Sequence, residues 1–287
     1  MNLIVTHQAP DLDAITSTWL LLRFDAQHFA GSRVAFVPAG MTISKEQLAQ
    51  LGFTPEKIVH VDTGGGEFDH HSVERAGKQY SATKLVFDHC VRVHPELAAD
   101  QALVLLVAHV TDVDHFGEAF WPEPNHPRYE FMLHHLITAM DATAFHDDAN
   151  QLELGCRLLD FVYQAMKLRV RAEEEITKGV VFNLKDGGQA LAIESGNDEV
   201  LSFAQRAGYL LVIKKDPQTG SVRIKVHPRA AFSLQALADK IIPADAQATW
   251  FYHPSGKMLI NGSRKNPHFV PSSLSLTQLM TLVKQDY

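Results

Sequence analysis

Cysteine is scarce in this chain of 287 residues: Cys90 and Cys156 are the only two, far apart and in no spacing typical of metal ligands. A disulfide framework or a zinc finger is therefore not expected, which suits a protein of the reducing cytoplasm. Long apolar runs are missing too. No stretch approaches the roughly 18 consecutive apolar residues that a membrane-spanning helix needs. The start, Met1-Asn2-Leu3-Ile4, has no basic segment ahead of an apolar one, so no secretory leader is expected. Positive charge is in deficit: 26 Lys and Arg against 33 Asp and Glu leave a net charge of −7. That argues against a broad basic surface for long duplex nucleic acid, while leaving room for a small positive pocket. Internal repeats and low-complexity tracts are absent. What is present is 46% hydrophobic content, enough for a sizeable core and about two domains.

The first 115 residues alternate short apolar runs with helical patterns. Strands are expected over 3–5, 33–37 and 58–61, and helices over 14–29, 44–51, 81–93 and 100–109, with Asp13 and Ser44 as N-caps. This rhythm predicts an α/β fold, a mostly parallel sheet with helices on both faces. A proline-rich loop (Trp121-Pro122-Glu123-Pro124-Asn125-His126-Pro127) interrupts the helical layer. Helices are expected again over 129–142 and 151–178, the latter with Leu154, Leu158, Leu159, Val162 and Met166 near a 3.6-residue period. Strands then dominate, over 179–184, 190–194, 209–214 and 222–226, with Asp186-Gly187-Gly188 as a hairpin-type turn. Helices over 199–206, 233–240 and 274–284 complete a smaller α+β part. The expected division is 1–150 as a metal-binding catalytic domain, 151–178 as a connecting helix and 179–287 as a substrate-binding domain.

The acidic residues and histidines fall in a telling order. His7, Asp11 and Asp13 lie on the loop leaving the first strand; the third strand delivers Asp62, and Asp69-His70-His71 follows. In an open parallel sheet, loops at the carboxyl ends of the strands converge on one crevice. Carboxylates crowded there repel one another unless a cation neutralises them. Aspartates and imidazoles without thiolates suit Mn²⁺, Co²⁺ or Mg²⁺ better than structural zinc. Asp11 and Asp13 can face different ions, Asp62 can bridge them, and His7 and His70 can give one imidazole to each. A fourth aspartate to balance two divalent cations is offered by Asp112 or Asp114, past the apolar run Leu105-Leu106-Val107-Ala108. Two metals about 3.5–4 Å apart activate a shared hydroxide and clamp phosphoryl oxygens for in-line displacement.

His7-x₃-Asp11-x-Asp13-Ala14, then Asp62, Asp69-His70-His71 and a later aspartate, resembles the DHH phosphoesterase superfamily, over roughly the first 115 residues. That group includes RecJ-type exonucleases, oligoribonucleases of the nanoRNA type, cyclic-di-AMP phosphodiesterases and family II inorganic pyrophosphatases. The resemblance implies that His7, Asp11, Asp13, Asp62 and His70 bind a pair of manganese ions, that Asp69 orients the neighbouring imidazoles, and that His71 faces the substrate phosphate. Its last motif is Asp-Thr followed three residues later by an aromatic. Asp112 and Asp114 both depart from that pattern, and Asp112, nearer the apolar run, is taken as the last ligand. The glycine-rich loop usual in the second domain of the superfamily is missing. The nearest analogue is Leu259-Ile260-Asn261-Gly262-Ser263-Arg264-Lys265-Asn266-Pro267. Ser263-Arg264-Lys265 is similar to a phosphate-binding segment of family II pyrophosphatases, and one Arg with one Lys on a turn makes a compact phosphate clamp.

Other features have plainer readings. Gly64-Gly65-Gly66 reads as a flexible turn that lets Asp62 and His70 reach the same ions. His126, His134 and His135 read as helix surface or core, and the charged run 167–178 as a solvated helix face. His115 and Arg75, beside the last and the third motifs, are candidates for substrate contact. The function expected is hydrolysis of a small phosphate ester, such as a short oligonucleotide, a nucleotide or a cyclic dinucleotide, through a metal-bridging hydroxide. The alternatives are an inorganic pyrophosphatase or exopolyphosphatase, and a non-catalytic metal-dependent nucleotide-binding protein. The oligomeric state is left open, a homodimer included.

Overall fold

The computed structural model describes residues 2–72, 75, 80–143, 147–185, 187–263 and 265–287. It divides into two compact units, Met1–Met166 and Lys167–Tyr287.

In the first unit, β1 (Leu3–His7) lies between β2 (Arg33–Val37) and β3 (Ile58–His60), and both pairings are parallel. Leu3 and Val5 point to one face of this sheet, where Leu48 and Leu51 of α3 (Lys45–Leu51) cover them. Ile4 points to the other face by strand alternation and is fully buried. Helices α1 (Leu12–Phe24), α4 (Ala82–Val93) and α5 (Gln101–Asp114) pack on one another in this unit, and α1 also packs on β1. The parallel sheet and its helices are as the sequence pattern predicts.

The expected helix over 14–29 is instead two, α1 and the short α2 (Ala26–Phe29), broken at Asp25. The physical cause is a buried carboxylate. Asp25 is fully buried and accepts hydrogen bonds from His28 Nδ1 (2.6 Å) and His89 Nε2 (2.8 Å), the latter on α4. At the other end of α1, the Asp13 carboxylate accepts from the backbone N–H groups of Ala82 and Thr83, the first residues of α4 (2.7 and 2.8 Å). Two aspartates thus tie both ends of α1 to α4. The N-cap of α1 is Asp11, not Asp13: its Oδ1 accepts from Ala14 N at 3.0 Å. Ser44 caps α3 in a capping box with Gln47. Further along come α6 (Leu133–Asp141) and the 29-residue α7 (Asp148–Ile176), which supplies residues to both units.

The second unit carries a six-stranded sheet in the order β4-β5-β6-β7-β9-β8. Its strands are β4 (Val180–Asn183), β5 (Gln189–Glu194), β6 (Leu211–Lys215), β7 (Val222–Val226), β8 (Trp250–Tyr252) and β9 (Met258–Asn261). Only the β5–β6 pair is parallel. Alternation along β5 fills two cores. Ala190 and Ala192 face α9 (Gln235–Ala244) and α10 (Leu276–Asp286), and Leu191 and Ile193 face α8 (Glu199–Arg206) and Ala172 of α7. Strand β8 was not anticipated. The turn expected at Asp186-Gly187-Gly188 begins outside the described residues, Asp186 being the one omitted. Both cysteines are free. Among the described residues no helix is long and apolar enough to cross a membrane.

Replacing Asp25 with Ala should destabilise the fold by about 1–3 kcal/mol at pH 7, because it leaves two histidines without their buried acceptor. Burial would raise the Asp25 pKa, but its bonds with His89 and His28 outweigh that and lower it. A lowered carboxylate pKa stabilises above its unfolded value and loses that effect on acidification. Urea titrations should therefore show the gap between Asp25→Ala and the parent protein shrinking below about pH 4.

Candidate metal centre

The centre is assembled at the carboxyl end of the parallel sheet. Strand β1 ends on His7, whose Nδ1 donates to the Gln8 carbonyl at 2.8 Å and so leaves Nε2 as the metal-facing nitrogen. The neighbouring strand β3 leads into Val61 and then Asp62, which is nearly buried (3% exposed). Asp62 sits at φ +54, left-handed backbone that aspartate tolerates better than most non-glycine residues. The following loop is organised around Asp69. Its carboxylate accepts from Gly65 N (2.7 Å), His71 N (3.0 Å) and His71 Nδ1 (2.8 Å). Gly64, at φ +78, has to be glycine, since a Cβ there would lie 2.8 Å from the His60 ring. The three glycines therefore form a built turn on which His70 and His71 are held.

Two groups of donors result, the ligand atoms of each lying within 4.8 Å of one another. One is His7, Asp11 and Asp62; the other is Asp13, His70 and Asp114. A third group, Asp62, His70 and His71, overlaps both. Asp62 serves both sides: its Oδ2 is 3.2 Å from His7 Nε2, and its Oδ1 is 3.3 Å from His70 Nε2. His70 Nε2 is also 3.7 Å from Asp13 Oδ2 and 3.6 Å from Asp114 Oδ2. Asp62 Oδ1, His70 Nε2 and Asp114 Oδ2 are buried and, among the described residues, have no hydrogen-bond partner. Buried polar atoms are rarely left so, and buried donors of this kind fit divalent cations held by the two groups.

The charges respond to this crowding. Burial pushes the Asp13 carboxyl well above its usual range, helped by the nearby charges of Asp62 and Asp114, and burial lifts Asp114 to about 6. Burial alone would lower the two imidazoles. The closeness of Asp62 and the surrounding carboxylates outweighs it, so His7 and His70 both rise to about 9. Asp62, between two such imidazoles, is lowered despite its burial. In the metal-free protein, protons on His7 and His70 do the neutralising.

The structure brings His7, Asp11, Asp13, Asp62 and His70 together, with Asp69 and His71 beside them, but it does not bring Asp112. The last aspartate of the cluster is Asp114. Helix α5 runs five residues past its expected end at His109, and residues two apart on a helix point in nearly opposite directions. Asp114 continues the buried stripe Leu103, Val107, Val110, whereas Asp112 is exposed and accepts from Trp121 Nε1 at 3.0 Å. Counting helical spacing through to residue 114 was the available signal. Arg75 lies on the same loop. Its Nη1 donates to the carbonyls of Glu67 (3.0 Å) and Asp69 and so braces the loop. His115 caps α5, with Nδ1 on the Thr111 carbonyl, and lines the cavity beside the cluster. Arg264 lies outside the described residues; Lys265 is exposed on the turn bridged by Ser263 and Asn266, in the second unit.

The cavity beside the cluster measures about 570 Å³ and is lined by Asp11, Asp13, His70, His71 and Asp114 together with Phe116, Glu118 and His134. Sequence reasoning missed the last three. His134, read as helix surface or core, is buried on this wall.

Asp114→Asn should lower the manganese bound per chain, whereas Asp112→Asn should leave it unchanged; metal analysis after gel filtration checks both. A divalent cation must displace the protons on His7 and His70, so its affinity should rise with pH towards 9, by about one to two decades per pH unit above neutrality. Calorimetry in buffers of different ionisation enthalpy should show proton release on binding; binding without it would contradict the raised imidazoles.

No family model and no curated protein matches this chain. Solved structures align with 99% of it, among them these three. One is the DHH domain of a member of a ribosomal-protein family (TM-score 0.32, 11% identity, 86% of that chain). Another is RecJ in complex with Mn²⁺ from Thermus thermophilus (TM-score 0.33, 14% identity), of which the chain spans 51%. The third is an exonuclease RecJ bound to manganese (TM-score 0.32, 13% identity, 89% of that chain). These are distant likenesses.

Proposed function

We propose that this chain is a manganese-dependent phosphoesterase acting on a small phosphate ester. In this reading His7, Asp11 and Asp62 hold one cation, Asp13, His70 and Asp114 hold the second, and Asp62 is common to both. The observation that carries it is the pair of donor groups, His7-Asp11-Asp62 and Asp13-His70-Asp114, adjoining where Asp62 Oδ1 lies 3.3 Å from His70 Nε2 beside a cavity. The donor set, all carboxylate and imidazole, favours manganese over structural zinc. When bound, such a cation pair supplies Lewis acidity towards phosphoryl oxygens and a water of lowered pKa.

The chain's own groups do the rest. Asp13 is fixed by the α4 amides and Asp62 by the two imidazoles flanking it, so the donors stand in place before substrate arrives. His71, with Nδ1 committed to Asp69, has Nε2 left to meet a phosphoryl oxygen and, in the imidazolium form, to give it a proton. His71 is 62% exposed in its side chain, which suits a group that meets substrate.

The test is manganese-supported hydrolysis of bis-p-nitrophenyl phosphate. Asp62→Ala should lose about a hundredfold or more in rate, with an unchanged circular dichroism spectrum. Chelation should silence the parent protein, and added manganese should restore it. Full activity in Asp62→Ala would overturn the shared role of this residue. Phosphate release from pyrophosphate alone, with no diester or nucleotide hydrolysed, would favour the pyrophosphatase alternative.

A further inference from the structure

Two ligands of the first donor group, His7 and Asp11, stand at the ends of a three-residue loop, Gln8-Ala9-Pro10, whose backbone sets their separation. Ala9 sits at φ +48, left-handed backbone that a Cβ disfavours, and a residue ahead of proline prefers extended backbone. Such a conformation persists only where its surroundings impose it. The first turn of α7 does so. Asp148 Oδ1 accepts from Ala9 N at 2.8 Å, and Gln151 Nε2 donates to the Pro10 carbonyl at 3.0 Å. Proline has no N–H, so that carbonyl is the one backbone polar group Pro10 has to satisfy. On the other side, Gln8 N donates to the Val37 carbonyl at the end of β2 (2.8 Å).

Neither side chain is explained by α7 alone. Asp147, not Asp148, caps this helix: its Oδ1 accepts from Ala149 N at 2.8 Å. Gln151 is 1% exposed, and among the described residues its Oε1 has no hydrogen-bond partner. Methionine would fill the same space without burying a lone oxygen. What glutamine adds is the bond to Pro10. The turn that holds the loop is itself fixed on α1, which begins directly after Asp11. A Cβ on Gly155 would lie 2.8 Å from Ile15 Cγ2, so glycine permits the close approach of α7 there. Farther along, Asp160 Oδ1 accepts from Trp19 Nε1 (3.0 Å) and Arg23 Nη1 (2.6 Å).

We propose that Asp148 and Gln151 are positioning residues for the first cation: through Ala9 N and the Pro10 carbonyl they fix the span between His7 and Asp11. Neither side chain is a ligand in this scheme; each acts through the backbone of the loop. Loss of either lets the left-handed Ala9 relax and spreads the His7–Asp11–Asp62 group. The Asp13–His70–Asp114 group, held by the amides of α4, stays as it is. The inference rests on the two-cation part of the proposed function, and on neither the ester nor the reaction.

The test is calorimetric titration of the metal-stripped full chain with manganese, in the parent and in Asp148→Ala, Asp148→Asn and Gln151→Met, with melting curves beside each. The parent should take two ions. Asp148→Ala and Gln151→Met should weaken one of them by about ten- to a hundredfold, the usual effect of removing an outer partner of a metal ligand, and leave the other unchanged. At two equivalents of manganese, the paramagnetic resonance signal of a coupled pair should give way to that of a single ion. Asp148→Asn keeps an acceptor oxygen for Ala9 N and should recover most of the lost affinity. Parental isotherms in both Asp148→Ala and Gln151→Met, even with lowered melting temperatures, would make the two residues merely structural and overturn the inference. Equal weakening of both ions overturns it too. A parent chain that binds no manganese removes the inference and the two-cation reading together. Two ions bound, one of them selectively weakened in the variants, with no ester hydrolysed, sustains the inference and removes only the phosphoesterase reading.

Discussion

Four carboxylates, Asp11, Asp13, Asp62 and Asp114, are gathered where two parallel strands end, and the first unit is arranged around making that tolerable. Two like charges about 4 Å apart cost on the order of 4 kcal/mol at an effective dielectric constant near 20. Helix amides return some of this: the N–H groups of Ala82 and Thr83 grip Asp13, a kind of contact worth up to about 2 kcal/mol in partly buried geometry. That is not enough for four acidic groups. The balance comes from positive charge on the imidazoles of His7 and His70, which take up protons readily because the carboxylates surround them. A divalent cation would replace those protons with stronger, fixed charge, so the same crowding that strains the apoprotein would drive metal binding.

Site and scaffold share residues. Asp13 is both a candidate ligand and the acceptor that draws the start of α4 onto α1, and Asp25 repeats the tie at the other end of the helix. Asp69 closes the glycine turn and orients His71 with the same carboxylate. Asp112, which faces away from the cluster, ties α5 to Trp121. Such double use means that a substitution near the cluster acts on geometry as well as on charge, so spectroscopic checks of folding belong beside every activity measurement.

Strand identity, helix identity and the order of the acidic motifs were legible along the chain, because each depends on spacing. A short continuous apolar run suffices for β1, alternating apolar residues suffice for β7, and apolar residues near a 3.6 period suffice for α7. The convergence of His7, Asp11, Asp13, Asp62 and His70 followed from parallel strands, whose carboxyl ends share one edge of the sheet. The short β8 escaped, as did the break at Asp25, since a carboxylate bonded by a distant histidine leaves no periodic trace.

Sequence by itself determined the chemistry: which side chains are available, in what order, and that carboxylate with imidazole and no thiolate selects a hard divalent cation. Tertiary structure decided which of these side chains meet. It chose Asp114 over Asp112, because helix phase at the end of α5 depends on where the helix stops. It committed Arg75 to two backbone carbonyls and placed His134 and Glu118 in the cavity wall, because packing between segments far apart in the chain sets those directions. Spacing fixes direction only within one element; beyond its ends, the fold decides.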